Sequence, residues 1–197
     1  MESLKEIFIK YAQIDDKMWQ QFSQNIKMVC YVKGDYISVK DNIWINYMYL
    51  NSGLIRSFII TKDGKEFTRQ FYFNSSESSV GNLFVTDLRS LLTQKPSSRG
   101  FEVLEDCELA VFSHDSITSL YHESYTWERV NRIFAQLAYI QIDEYYCTLL
   151  SNTPKEHYIK LKKNMPDLCK RLSQYHIASF LGVTPVTLSR IRQTCDL

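Results

Sequence analysis

The segment QYHIASFLGVTPVTLSRIRQ, residues 174–193, constrains this chain more than any other. Ile177, Ala178 and Leu181 recur at helical spacing and predict the buried side of a first short helix. Gly182 supplies the backbone a sharp turn needs after it. Thr184 is placed to cap a second helix, and Pro185 suits its first turn, where a missing N–H leaves nothing unpaired. Leu188 and Ile191, three apart, turn the second helix back onto the first. Thr187, Ser189, Arg190 and Arg192 are left to point elsewhere. This is the helix-turn-helix pattern, whose second helix reads base edges in a DNA major groove. The competing reading is two amphipathic helices packed in an ordinary bundle. The simultaneous fit of small residue, glycine, cap, proline and late hydrophobics favours DNA.

Charge supports the same end of the chain. Residues 1–154 hold 15 Lys and Arg against 19 Asp and Glu, whereas residues 155–197 hold 8 against 3. A basic tail behind an acidic body suits a nucleic-acid partner for the tail alone. A length of 197 residues, 45% of them hydrophobic and 23% charged, allows one large or two small globular domains. No apolar run approaches a membrane span, and MESLKEIFIKY lacks the apolar core of a signal peptide, so a cytoplasmic protein with no membrane partner is expected. Five scattered cysteines (Cys30, Cys107, Cys147, Cys169, Cys195) form no CxxC pair and read as free thiols, not as a zinc or iron–sulfur site.

The patterning divides the rest. Leu4, Ile7, Phe8, Tyr11, Met18, Trp19 and Phe22 predict helix up to about Ile26. From Met28 to about Phe73, short β-branched and aromatic runs are broken at Lys33-Gly34-Asp35, Asn51-Ser52-Gly53 and Lys62-Asp63-Gly64-Lys65. Asp63-Gly64 predicts a long hairpin between IRSFIIT and KEFTRQFYF. FEVLEDCELAVFS predicts two further strands around Glu105-Asp106, and TDLRSLLTQKPSS a short helix between the strand groups. Many short antiparallel strands imply a β-barrel or jelly roll.

After Asp115 helix is expected to about Leu150. It carries two apolar stripes: one through Val130, Ile133, Leu137, Ile140 and Cys147, the other through Trp127, Phe134, Ala138 and Tyr145. Two stripes need two partners, the barrel and a second copy of the helix across a dimer axis; burial of both within one monomer is the alternative. Asn152-Thr153-Pro154 then begins the tail domain, and Met165-Pro166-Asp167 restarts a short helix before the helix-turn-helix. The expected fold class is α+β: a sensor domain of double-stranded β-helix (jelly-roll) type with a dimerisation helix at about 115–150, together spanning 1–150, then an all-α helix-turn-helix domain at 151–197.

This order resembles the Crp/Fnr family of bacterial transcription regulators along essentially the whole chain. QYHIASFLGVTPVTLSRIR is similar to the branch of that family common in Bacteroidetes-type bacteria, while NYMYLNSGLIRSFIITKDGKEFTRQFYF and EVLEDCELAVFS resemble its sensor roll. The resemblance implies a homodimer on a near-palindromic double-stranded operator, an effector in the roll, no enzymatic activity, and RNA polymerase as a further partner. In cyclic-AMP-responsive members a Gly-Glu pair and a later Arg-Ser or Arg-Thr pair bind ribose and phosphate. Here those positions read Thr86-Asp87 and Ser97-Ser98. A neutral hydroxyl cannot replace a guanidinium facing a buried phosphate. No cofactor and no cyclic nucleotide are therefore expected, and any other effector is assigned to Asp87, Leu88, Arg89, Ser97, Ser98 and Arg99. Nothing favours haem at His114, His122, His157 or His176.

At the DNA end, the family's familiar readers carry an Arg-Glu pair where this chain has Pro185-Val186, so a different operator is implied. Arg190 matches their later arginine and is expected to read a guanine. Thr184, Thr187 and Ser189 suit phosphates or base edges, Val186 a thymine methyl group, and Arg192 completes the basic set. With four residues after Gln193, no wing is expected. Two rivals stand beside this reading. A metal or enzyme site on a cupin-like roll needs clustered histidines, and residues 28–113 contain none. A ligand-binding or interaction module that has lost DNA affinity conflicts with Arg190, Arg192 and the basic tail.

Overall fold

The chain begins with two helices instead of the single one expected. The computed structural model describes residues 3–38, 43–121 and 124–195, so His122 and the side chain of Cys195 lie outside the described residues. Helix α1 (Leu4–Ala12) starts at a capping box between Ser3 and Glu6 and ends where Gln13 adopts a left-handed conformation. Asp15 then caps α2 (Asp16–Ser23) by accepting from the Met18 amide. The apolar spacing runs through both helices, but this turn between them breaks the backbone. Ile7, Phe8 and Phe22 pack with Trp127 in a first core.

Five antiparallel strands follow: β1 (Lys27–Tyr31), β2 (Tyr36–Ser38), β3 (Asn46–Ile60), β4 (Glu66–Phe73) and β5 (Gly100–Ser113). They lie in the order β1-β5-β3-β4, with β2 paired to the other end of β5. The Asp63-Gly64 hairpin forms as predicted, between β3 and β4. Two other readings are corrected. Asn51-Ser52-Gly53 is no loop; it lies inside the 15-residue β3 as a run of register shifts against β5. Gly53 has φ +103°, and a Cβ there would collide with Cys107, so glycine permits a kink within the strand. Glu105-Asp106 likewise falls within one continuous 14-residue β5.

Between β4 and β5 lie α3 (Val80–Leu83), missed in the sequence, and α4 (Leu88–Thr93), which matches expectation. The later helix is interrupted: α5 (His114–Tyr121) precedes α6 (Tyr125–Ser151), which Ser124 caps. Trp127, Val130 and Phe134 pack α6 against the roll. Its other side leaves Tyr139, Ile142, Tyr146 and Leu149 half or more exposed, a row at alternating three and four spacing. Val130 therefore belongs to the roll-facing side and not to a free stripe.

The tail comprises α7 (Pro154–Asn164), α8 (Pro166–Arg171), α9 (Gln174–Leu181) and α10 (Pro185–Cys195). Thr153 and Glu156 form the capping box of α7, with Pro154 in its first turn. The tail does not have a core of its own. Tyr158, Leu161, Leu168, Ile177 and Leu188 share one cluster with Leu54, Phe71, Phe73 and Leu104 of the roll. Polar contacts follow the same seam. Arg171 donates to Glu105 through Nε and Nη2, and Nη2 also donates to the Gly53 carbonyl. Glu77 accepts from the Asp167 and Leu168 amides at the start of α8. No described helix is long and apolar enough to cross a membrane.

Candidate nucleic-acid interface and effector cavity

The turn between α9 and α10 forms as the sequence requires. Gly182 takes φ +69° and closes α9, and Thr184 Oγ1 accepts from the Thr187 amide to open α10. Leu188 is fully buried and Ile191 half-buried, which fixes the rotation of α10 on α9. A helix advances 100° per residue, so Val186, Ser189, Arg190 and Gln193 fall on the face opposite Leu188. All four are exposed, Val186 by 63%. Gln193 was missed; its position seven residues after Val186 was the available signal. A glutamine there suits the paired donor and acceptor of adenine.

The remaining candidates lie at the edges of that face. Thr184 and Thr187 are exposed, with their hydroxyls 2.9 Å apart, so each is partly engaged by the other. Arg192 is half-buried beside the Leu188 side. Arg190 is thus the cation centred on the outward face, and Arg192 flanks it.

Helix α9 is held by the edge strand of the roll. Buried Ser179 accepts from the Thr68 amide at 2.9 Å and donates to the Glu66 carbonyl at 3.0 Å. Thr68 pairs with Phe58 beside the bulge at Arg69, and on the open side of β4 Ser179 satisfies backbone groups that a further strand would otherwise pair. The Thr68 hydroxyl also donates to Ser179 and accepts from Arg56 Nη1. Arg56, 2% exposed, bonds Glu66 and Glu102 at 2.6 Å and lies against the rings of Phe58 and Tyr175. A chain of polar contacts thus runs from the sheet interior to α9, the first helix of the helix-turn-helix. Phe67 closes the contact: a Cβ on Gly182 would lie 2.9 Å from its ring.

A cavity of about 490 Å³ lies between the roll, α4, α5 and α6. Of the residues assigned to an effector pocket, Leu88, Arg89 and Arg99 line it. Asp87, Ser97 and Ser98 do not. Asp87 is 1% exposed and is used as the N-cap of α4, accepting from the Ser90 amide. Ser97 is buried with it and donates to Asp87 at 2.7 Å, while Ser98 is exposed outside the cavity. A capping carboxylate must point along the first turn of its own helix, which removes it from the ligand's side. Arg69, Tyr72, Tyr121 and Phe134 line the cavity and were missed, because strand faces and helix rotation bring them together from distant segments.

Among the described residues no group of three or more His, Cys, Asp or Glu is placed to hold a metal. Cys107 is buried and its thiol is pushed up to about 11 by desolvation, so it is protonated at neutral pH. His114 approaches the Tyr47 hydroxyl at 3.3 Å.

The architecture is shared with solved transcription regulators. The chain is similar to the c-di-GMP-responsive global regulator CLP of Xanthomonas campestris, with 12% identity, 92% of each chain covered and a TM-score of 0.67. It is similar to FixK2 from Bradyrhizobium japonicum, at 14% identity over 87% of this chain and 84% of that one, with a TM-score of 0.64. A transcriptional regulator of the Crp/Fnr family from Eubacterium rectale aligns at 15% identity over 93% and 84%, with a TM-score of 0.66. No family model and no curated protein matches the chain by sequence. The likeness is one of fold: like these structures, the chain has a β-roll domain followed by a helical unit.

Proposed function

We propose that the protein is a sequence-specific DNA-binding transcription regulator of the Crp/Fnr type. The observation that carries the reading is the outward face of α10, where Arg190, Ser189, Val186 and Gln193 stand exposed while Leu188 anchors the opposite side. Among the described residues nothing buries that face; α10 rests on α9. The groups offered are those that bind guanine, adenine and thymine edges in a major groove.

The protein works as a homodimer through α6, whose Tyr139, Ile142, Tyr146 and Leu149 form an exposed seam of coiled-coil spacing. A dimer places two recognition helices on a near-palindromic operator, in successive major grooves about 34 Å apart. An effector in the cavity beside α6 biases the position of the DNA-binding unit. That effector is not cyclic AMP, since Ser97 replaces the phosphate-binding arginine and is itself buried against Asp87. The protein carries no enzymatic activity in this reading, and RNA polymerase is its partner at promoters.

Selection of bound sequences from a random double-stranded pool tests the assignment, using purified full-length protein at moderate salt without ligand. Enrichment of a two-fold symmetric motif is the expected result. A folded dimer that enriches nothing, with or without cellular small-molecule extract, would instead favour an interaction module on this fold.

A further inference from the structure

The cavity between roll and α6 carries an unbalanced charge. Arg69, Arg89 and Arg99 all line it. The Arg99 guanidinium is held below its usual value, first by burial and then by the positive charge of Arg69, with Arg89 adding to the effect. The three cations are therefore near neighbours. The one carboxylate among them is Asp87, 3.5 Å from Arg99, and it is already bonded to Ser97 and capping α4. Among the described residues, the Arg69 and Arg89 side chains have neither an ion-pair nor a hydrogen-bond partner. Arg69 and Arg99 are partly buried and Arg89 is exposed at the rim, and like charges brought to a partly desolvated wall cost stability unless an anion joins them.

The rest of the wall is apolar and aromatic, including Tyr72, Phe84, Trp127 and Phe134. A second donor is also left unused: the Tyr121 hydroxyl is buried, lines the cavity and has no hydrogen-bond partner. Buried donors of this kind are rare unless something absent from the protein completes them. No free carboxylate lines the arginine end to receive a sugar hydroxyl, because Asp87 and Ser97 satisfy each other within the wall.

We propose that this cavity binds a small organic acid, its carboxylate or phosphate head held by Arg69, Arg89 and Arg99 and its apolar or aromatic body packed along Phe84, Phe134 and α6. The volume, about 490 Å³, suits a body of two fused rings or a medium acyl chain. The ligand completes a wall formed jointly by roll and α6, so its binding reaches the seam of the dimer. This deepens the effector part of the regulator reading, but the site can be tested without DNA.

The probe is anilinonaphthalene sulfonate, an organic acid whose fluorescence rises in apolar surroundings, compared with N-phenylnaphthylamine, which has the same body without the acid. Full-length protein is expected to bind one sulfonate probe per chain at least about tenfold tighter than the neutral one, a factor worth about 1.4 kcal/mol. R69Q/R89Q removes two partnerless cations, so it is expected to fold with an unchanged or higher Tm and to lose that preference. Octanoate and phenyl phosphate, as competitors, separate carboxylate from phosphate heads; displacement by either supports the site, while inorganic phosphate alone is not expected to displace the probe. Equal affinity for the two probes, or sulfonate binding unchanged in R69Q/R89Q, overturns the proposal. Failure of either kind leaves the operator selection untouched, so the two readings fall separately.

Discussion

The Ser179 hydroxyl, in the first helix of the helix-turn-helix, lies 2.9 Å from the Thr68 amide on the edge strand of the roll. It also donates to the Glu66 carbonyl on the same strand. One side chain thus stands in for a missing neighbouring strand, and it does so across the boundary between the two parts of the molecule. Replacing it by alanine leaves a buried N–H and C=O unpaired, which costs roughly 1–3 kcal/mol. Ser179→Ala is expected to lower the denaturant midpoint accordingly and to speed hydrogen exchange at the Thr68 amide. Unchanged exchange there would show that water replaces the hydroxyl without cost.

Arg190 stands exposed at the centre of the outward face of α10. Arg190→Ala is expected to lose roughly 1–3 kcal/mol of discrimination at one base position, since a bidentate guanine contact is worth that much. The readout is a repeat of the pool selection, in which one column of the motif flattens while the others persist. Arg192→Ala, removing a flanking cation, is expected instead to weaken all sequences alike and to reduce the salt dependence of binding. If both substitutions behave the same way, Arg190 is a phosphate contact.

Cyclic AMP is expected to leave the melting temperature unchanged at millimolar concentration. Stabilisation by a ligand grows with the logarithm of its concentration over its dissociation constant, so any saturable rise would reveal a site. The physical ground is the Ser97 hydroxyl, which is committed to Asp87 at 2.7 Å and carries no charge.

Two histidines tie stability to pH. His157 is held below the usual imidazole value by burial and then by Lys160. His176 is lowered by burial first and then by Arg56, with Lys33 acting the same way and Glu102 and Glu66 opposing. A base with a depressed folded pKa binds fewer protons than the unfolded chain, so stability rises with pH. The contribution is complete above the ordinary imidazole value of 6.5 and is lost as pH falls below it. Denaturation at about pH 7.5 and about pH 5.5 should show the loss. His157→Gln and His176→Gln should each reduce the difference; a difference unaltered in both assigns it to carboxylates.

The parts of the fold set by neighbouring residues were legible in the sequence. Thr153-Pro154 and Thr184-Pro185 open helices because cap and proline act within one turn, and Asp63-Gly64 reverses the chain because the turn needs those residues. Asn51-Ser52-Gly53 carries a similar turn signal yet lies within β3, since positive φ serves a kinked strand as well as a loop and only the opposing Cys107 decides. Helix α10 was readable because one buried Leu188 fixes which residues face out. The cavity was not: Arg69 comes from β4, Arg99 from the start of the β5 approach and Tyr121 from α5, joined by tertiary packing alone. Asp87 was assigned to the effector pocket, but it caps α4 instead, a use that depends on where that helix begins. On α6, periodicity revealed apolar stripes without telling which the roll would cover; Ile140 and Cys147 of one stripe are exposed, and so is a further row through Tyr139 and Tyr146.

The core shared by the tail and the roll has a consequence for building hybrids. Tyr158, Leu161, Leu168 and Leu188 are buried partly by Leu54, Phe71, Phe73 and Leu104. A tail cut free near residue 151 would carry that greasy underside into water. Transplanting this helical unit onto a foreign roll would require moving the β3–β4 hairpin with it. The portable cassette is therefore discontinuous in the chain, and swapping specificity between regulators of this architecture is better done by exchanging the outward side chains of α10 than by joining halves.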